Sequence, residues 1–276
     1  LLNAILEQKL VIVSHKPQTT RQNILGILTE ADYQTLLLDT PGLMYRTRDT
    51  LDHRMNRSVV NAINTAHLVL LVIEPSLPSG LEFQLIKQLK QNLVPSILVI
   101  NKIDLIKKEK MLPIMEAYAS LYSFSEIIPI SALQREGISL LLERIKPHLP
   151  VGDHEYESAQ LTDRPERFFA AEFVREQLFI VYGQEIPYDA AVVIEEFQEQ
   201  NPNEGGKDLI VAIIYVNKLS QRKILIGSDG NLLKKVGIAA RVEIERLTGR
   251  PAYLDLTVMV REKWRQRDDF LEEAGY

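Results

Sequence analysis

Residues Pro95–Asp104 read PSILVINKID. The first six are uncharged and mostly aliphatic, the pattern of a strand buried on both faces. The last four, Asn101–Asp104, follow the strand's carboxyl end, where open α/β sheets hold their ligands. The chemistry available there is specific. An Asp carboxylate accepts two hydrogen bonds, and guanine offers two adjacent donors, N1–H and the 2-amino group. Adenine has no matching pair. A site built to bond such donors rejects a base without them by ~10⁴ or more. Asp104 is therefore the candidate base reader. Asn101 can tie neighbouring loops together, and the aliphatic stem of Lys102 can lie over the ring. A solvated strand-to-helix turn is the plain alternative for the same four residues.

The flanking sequence repeats this layout. Strands are expected at Ile24–Leu28, Gln34–Asp39, Leu68–Glu74, Pro95–Asn101 and Glu126–Ile130, with helices near Asp52–Ala66, Gly80–Gln91, Glu109–Leu121 and Gly137–Leu149. Strands alternating with helices of that length predict an α/β fold, a doubly wound and mostly parallel sheet. The loops after its strands are then the places to look for chemistry. DTPG, Asp39–Gly42, ends the strand QTLLLD. Asp39 can hold a metal's hydration shell, and Gly42 lets a backbone N–H approach a phosphate closely. An ordinary Pro-Gly turn is the alternative. Ser131–Leu133, SAL, follows the strand EIIPI and could buttress the base with backbone N–H groups. Gln18–Arg21, QTTR, offers a hydroxyl for Mg²⁺ when a loop closes on a γ-phosphate. Thr20 is favoured, Thr19 is the alternative, and a capping or turn role is the plain reading.

The length of 276 residues suits two domains. The chain is 46% hydrophobic, enough for sizeable cores, and has no cysteine. That excludes disulfides, thiol catalysis and Cys-ligated zinc, and it fits a reducing compartment, with the cytoplasm expected and an organelle left open. No apolar run approaches the ~18–20 residues of a membrane span. Charge is unevenly spread. Residues 151–217 carry a net −10, and residues 218–267 a net +7. A basic block in an acidic protein is a candidate polyanion site, or else a solvated helix face.

Pro147, Pro150 and the polar run VGDHEYESAQ mark a linker at 151–161. The expected domains are therefore 1–150 and 162–276. In the second, Asp163–Val181 reads as a helix. Pro187–Gln198 and Lys207–Asn217 read as strands joined by the turn QNPNEGG. Gly227–Gly230, GSDG, follows Ser220–Ile226 and precedes a helical stretch to Leu247. Ala252–Val260 reads as a strand and Trp264–Ala274 as a last helix. A GxxG turn clamps a single-stranded nucleic acid backbone in KH domains. Gly227 and Gly230 permit close approach, Ser228 and Asp229 face the backbone, and Lys234, Lys235 and Arg241 follow on the helix. A plain helix-turn-helix is the alternative.

DTPG, NKID and SAL, in that order and spacing, resemble a small GTPase of the translation-factor-related class. No GxxxxGKS/T phosphate loop occurs in the 276 residues. The opening stretch LLNAILEQKLVIV reads as the helix that follows such a loop, then a strand. A strand and phosphate loop are therefore expected ahead of Leu1.

A GTPase domain followed by a KH domain resembles the Era family. The stretches HKPQTTR, LLLDTPGL, LTDRPERFFAAEFVREQL, GIAARVEIERL and VREKWRQRDDFLEEAGY fit it along the whole chain. The resemblance implies a P-loop-type GTPase domain and a type II KH domain that bind and hydrolyse GTP, leaving GDP, with Mg²⁺. It implies binding to the 3′ end of small-subunit ribosomal RNA, a role in assembling the small ribosomal subunit, and peripheral association of a monomer with the inner membrane. It carries over Asp39, Thr40, Pro41, Gly42 and Leu43, Asn101, Lys102, Ile103 and Asp104, and Ser131, Ala132 and Leu133 as nucleotide contacts. Leu43 stands where a Ras-like enzyme places a water-orienting glutamine. That replacement points to slow turnover assisted by a potassium ion, RNA or another partner. Asp229 stands where the family usually has lysine or glycine. A competing reading is a non-catalytic RNA-binding protein whose G domain serves as scaffold.

Overall fold

Every residue of β4 (Ser96–Ile100) is buried. Its side chains alternate between two cores. Leu98 and Ile100 pack with Val59, Leu71, Ile86 and Tyr118, while Ile97 and Val99 pack with Ile5, Ile128, Ile138 and Leu141. That two-sided burial explains the uninterrupted apolar run, because a parallel strand under helices on both faces has no solvent side. β4 pairs in parallel with β3 (Val69–Ile73) and with β5 (Glu126–Pro129). The helices are α2 (Thr50–Thr65), α3 (Gly80–Asn92), α4 (Met111–Ala119) and α5 (Ile138–Ile145), with a short α1 at Leu2–Leu6.

These are features of a computed structural model that describes residues 1–14, 16, 18–44, 46–183, 185–200 and 205–276. Two strands depart from the parallel arrangement. β1 (Ile24–Thr29) and β2 (Gln34–Asp39) pair antiparallel as a separate two-stranded sheet. The four residues between them are too few for the crossover that parallel pairing needs.

The chain divides into two units, and neither is one continuous stretch. The first comprises Leu1–Gln8, Asn23–Thr47 and Asn56–Asp163; the second comprises Lys9–Gln22, Arg48–Met55 and Arg164–Tyr276. This differs from the contiguous blocks 1–150 and 162–276. The stretch 151–161 is not a free linker either. Gln34 Oε1 accepts hydrogen bonds from the backbone of Glu155 at 2.9 Å and Tyr156 at 3.0 Å, and Ile27 N–H donates to Leu161 O at 2.8 Å. These bonds hold it along the β1–β2 hairpin.

The second unit runs α6 (Glu166–Val181), β6 (Ala190–Gln198), β7 (Asp208–Val216), α7 (Leu219–Ile226), α8 (Asn231–Thr248), β8 (Ala252–Val260) and α9 (Asp268–Glu273). The strand order is β6-β7-β8, antiparallel and then parallel. Of the expected turn between β6 and β7, residues 201–204 lie outside the described residues. Among the described residues the segment after α1 does not form the expected strand. Leu10, Val11 and Ile12 are buried in the second unit instead.

Polar bonds account for that placement. Lys9 Nζ lies 2.6 Å from Glu176 and 3.1 Å from Glu243. Lys16 Nζ donates to the carbonyls of Phe179 and Tyr182, each at 2.6 Å. Arg265 ties down the other inserted segment through Asp49 at 2.6 Å and Asp52 at 2.7 Å.

Candidate functional site

The loops after β4 and β5 meet through Asn101. Its Oδ1 accepts from Lys102 N–H at 2.8 Å and from Ala132 N–H at 3.0 Å. Its own N–H donates to Ile73 O at 2.8 Å, and Ile103 N–H donates to Ile130 O at 3.2 Å. One amide oxygen thus locks two loops, as its position predicts. Lys102 adopts a left-handed conformation, φ 63°. Its ammonium pairs with Glu74, the residue after β3.

Asp104 is exposed, and Ser131 Oγ donates to its Oδ1 at 2.6 Å. The Ser131 hydroxyl therefore buttresses Asp104. The Ser131 N–H is engaged with Glu136 O at 3.0 Å. The hydroxyl fixes one carboxylate oxygen of Asp104 and leaves the second oxygen as an acceptor beside the loop. Ala132 gives its N–H to Asn101, and Leu133 projects into solvent at 86% exposure.

Asp39 closes β2 and is half-buried; Thr40 is half-buried, Pro41 buried and Gly42 exposed. A Cβ added at Gly42 would meet nothing within 4 Å among the described residues. The fold leaves this space open, which suits close approach of a phosphate. Leu43 packs against the core cluster around Val59, Ile63 and Leu71. Where a glutamine would face water, this residue helps anchor the loop. Asn56 reinforces that anchor by accepting from Met44 N–H at 2.9 Å and donating to Met44 O at 3.0 Å. Glu74 and Asn56 escaped the sequence reading. An acid directly after a buried strand was the signal for the first; nothing local marks the second.

Thr20 lies in the second unit, on the segment Lys9–Gln22. Its neighbour Arg21 is 4% exposed. The Arg21 guanidinium donates to the carbonyls of Ala190 at 2.7 Å, Tyr188 at 2.8 Å and Pro187 at 3.1 Å. It also lies 5.7 Å from the ring centres of Trp264 and Tyr276. Burial pulls its pKa down; Tyr276 opposes that shift, while Arg175 and Arg265 add to it. Asp39 belongs to the first unit, so the expected metal pair is divided between the units. Among the described residues no cluster of three or more His, Asp or Glu could hold a metal alone.

The GxxG turn carries its own geometry. Gly227 has φ 74°, and an added Cβ would stand 2.8 Å from Leu232 Cγ. Gly230, at φ 73°, starts α8. Ser228 and Asp229 are exposed, Asp229 at φ 53°. Tyr182 Oη donates to Leu225 O at 2.6 Å and fixes the end of α7. Lys234 and Lys235 are exposed, whereas Arg241 lies 3.9 Å from Glu245. Between the cations lie Ile224, Ile238 and Val242, which are 51%, 49% and 43% exposed. Arg222 and Lys223 on α7 are exposed too. Aliphatic side chains among these exposed cations suit unstacked bases on a phosphate backbone. The sequence reading missed the α7 members because Ser220–Ile226 showed no clear period.

Residues 1–102 match the family described as 50S ribosome-binding GTPase, and residues 185–265 match the KH domain family. The chain is 40% identical over its whole length to GTPase Era of Ruminiclostridium cellulolyticum, covering 92% of that protein. It is 42% identical to GTPase Era of Syntrophus aciditrophicus, covering 90%.

The chain belongs to the Era GTPase family.

Two solved Era structures agree. Era in complex with MgGDPNP and nucleotides 1506–1542 of 16S ribosomal RNA is 34% identical, with a TM-score of 0.95 over all of this chain and 93% of that one. An Aquifex aeolicus Era variant bound to GDP·AlF₄⁻ is 33% identical, with a TM-score of 0.94 and the same coverage. An Era-type GTPase unit and KH unit are therefore the architecture of this chain.

Proposed function

We propose that this protein binds GTP and GDP with Mg²⁺, hydrolyses GTP, and binds the 3′ end of small-subunit ribosomal RNA to assist assembly of that subunit. One observation carries the reading. A single chain holds an aimed carboxylate, Asp104 on Ser131, and a GxxG turn flanked by the exposed Lys234 and Lys235. The first recognises guanine and the second a single-stranded phosphate backbone.

Asn101, Lys102 and Asp104 hold the base. The space at Gly42 admits the terminal phosphate. Asp39 is the residue that would hold Mg²⁺, which would neutralise charge developing on the phosphates. With Leu43 packed into the core, hydrolysis needs help from outside this loop, from K⁺ or bound RNA. The solved relative bound to 16S RNA favours the small subunit over the 50S particle named in the family description. The protein acts as a cytoplasmic monomer with peripheral contact to the inner membrane. Among the described residues no helix is long and apolar enough to cross one.

The test is fluorescence anisotropy with a small-subunit 3′-end oligonucleotide, alongside competition of GDP and ADP for the nucleotide site. The reading expects salt-dependent RNA binding lost in a Lys234→Glu, Lys235→Glu double variant, and GDP strongly preferred to ADP. RNA binding untouched by the double variant, or equal competition by ADP, overturns it.

A further inference from the structure

The sheet of the second unit has two faces. Val192, Ile194, Ile210, Ala212 and Ile214 are buried, and Leu256 lies against Gly237 of α8. That face is the core. On the other face, the end near Tyr215 is covered by Phe270, with ring centres 4.9 Å apart. Ile213 on the same face is buried as well, and the face opens beyond it. There Tyr253 is 57% exposed beside half-buried Leu209 and Val211.

Arg261, just after β8, lies 5.9 Å from the Tyr215 ring centre and pairs with Asp269 and Glu273 of α9; the outward positions of the strands themselves carry only acidic charges. A bulge between Ile194 and Glu196 shifts the register of β6 by one residue. Without it Glu196 would alternate with Ile194 into the core; with it Glu196 pairs with Val211 on the outer face. Val211 pairs in turn with Asp255. The row Glu196–Val211–Asp255 therefore sets two carboxylates about 10 Å apart with an aliphatic side chain between them. No Lys or Arg occupies any outward position of the three strands. Opposite charges facing each other across strands stabilise a sheet, and the outward positions of these three strands hold no such pair.

We propose that this outer face docks a lysine- and arginine-rich polypeptide segment of a partner protein. A long basic side chain can lay its stem on Val211 and its head on Glu196 or Asp255, while Leu209 and Tyr253 take apolar neighbours. The same carboxylates repel phosphate, so RNA belongs to the α7–α8 surface and the basic polypeptide to the sheet. One unit then holds both components of a ribonucleoprotein particle.

The probe is a labelled peptide of alternating lysine and leucine, with its glutamate–leucine counterpart as control, titrated into the whole chain. Backbone NMR shifts should concentrate at Val193, Val211, Asp255 and Tyr253. Glu196→Lys with Asp255→Lys should weaken the peptide at least tenfold and leave RNA binding unchanged. Glu196→Gln with Asp255→Asn should fall between, and it keeps the test valid should charge reversal disturb folding. Equal peptide affinity in all variants, or shifts centred on residues 151–161, overturns the proposal. So does a concentration-dependent dimer that Asp255→Lys abolishes, since the face would then pair two copies.

Discussion

Ser131 Oγ lies 2.6 Å from Asp104 Oδ1, so a buried hydroxyl aims an exposed carboxylate. Asp104→Asn replaces an acceptor pair by one acceptor and one donor, which suits the 2-oxo group of xanthine. Preference should move from guanine to xanthine nucleotides. Ser131→Ala keeps the preference but frees the carboxylate, costing roughly 1 kcal/mol, or about fivefold in affinity. Displacement of a fluorescent guanine nucleotide by GDP, XDP and ADP reads both effects. If GDP remains preferred in Asp104→Asn, Asp104 is not the base reader.

Arg21 serves the second unit as an internal strut. Arg21→Ala would leave the carbonyls of Pro187, Tyr188 and Ala190 without this donor, at about 1–3 kcal/mol for each one that water fails to reach. A total loss of about 3 kcal/mol is expected. Arg21→Lys should recover only part, because an ammonium lacks the planar fork. For the same reason a fragment of residues 162–276 should be less stable than the whole chain. Urea midpoints at constant slope measure this. A midpoint for Arg21→Ala equal to that of the unmodified protein contradicts it.

Burial pushes the Tyr182 phenol up to about 12. Its folded pKa lies above the unfolded value near 10, so the protonated form is the one the fold favours. The stabilisation is fully present below pH 10 and is lost as pH rises through about 12. Tyr182→Phe removes the bond to Leu225 O and should cost ~1 kcal/mol at neutral pH. Melting temperatures of the two proteins should differ at pH 7 and converge between pH 10 and 12. A constant gap across that range rules the phenol out as the cause.

Asp229 makes no hydrogen bond or ion pair among the described residues, and α8 has no side-chain cap. It is therefore free to act on RNA. Asp229→Lys should tighten RNA at low salt, steepening the log–log salt slope by about 0.7. Asp229→Asn should leave the melting temperature unchanged and show an intermediate affinity. Anisotropy across a salt series decides it; equal slopes for aspartate and lysine remove Asp229 from the RNA surface.

Much of this was legible in the sequence, because local patterns set it. β2 and β8 fall at the expected residues, and β4 within one residue at each end. Asn101 and Asp104 follow from a buried strand and from what a carboxylate can pair with. The division into units was not legible. It rests on bonds such as Lys9 to Glu176 and Arg265 to Asp49, between partners more than 160 residues apart. Such pairs leave no period. Leu10–Ile12 mimicked a strand because burial alone produces an apolar run, whatever the backbone does. α7 was hidden by its exposure, since Arg222, Lys223 and Ile224 face solvent and break the expected amphipathic spacing.

The two glycines Gly42 and Gly227 answer to different masters. At Gly227, positive φ and a Leu232 carbon 2.8 Å from any added Cβ mean that folding itself demands glycine. At Gly42 nothing among the described residues would object to a methyl group. A library selected only for soluble expression should therefore accept alanine at 42 and purge it at 227. Selecting the same library on guanine-nucleotide affinity should purge both. The difference between the two selections at position 42 isolates what the ligand requires from what the polypeptide requires, with no structure of a complex needed.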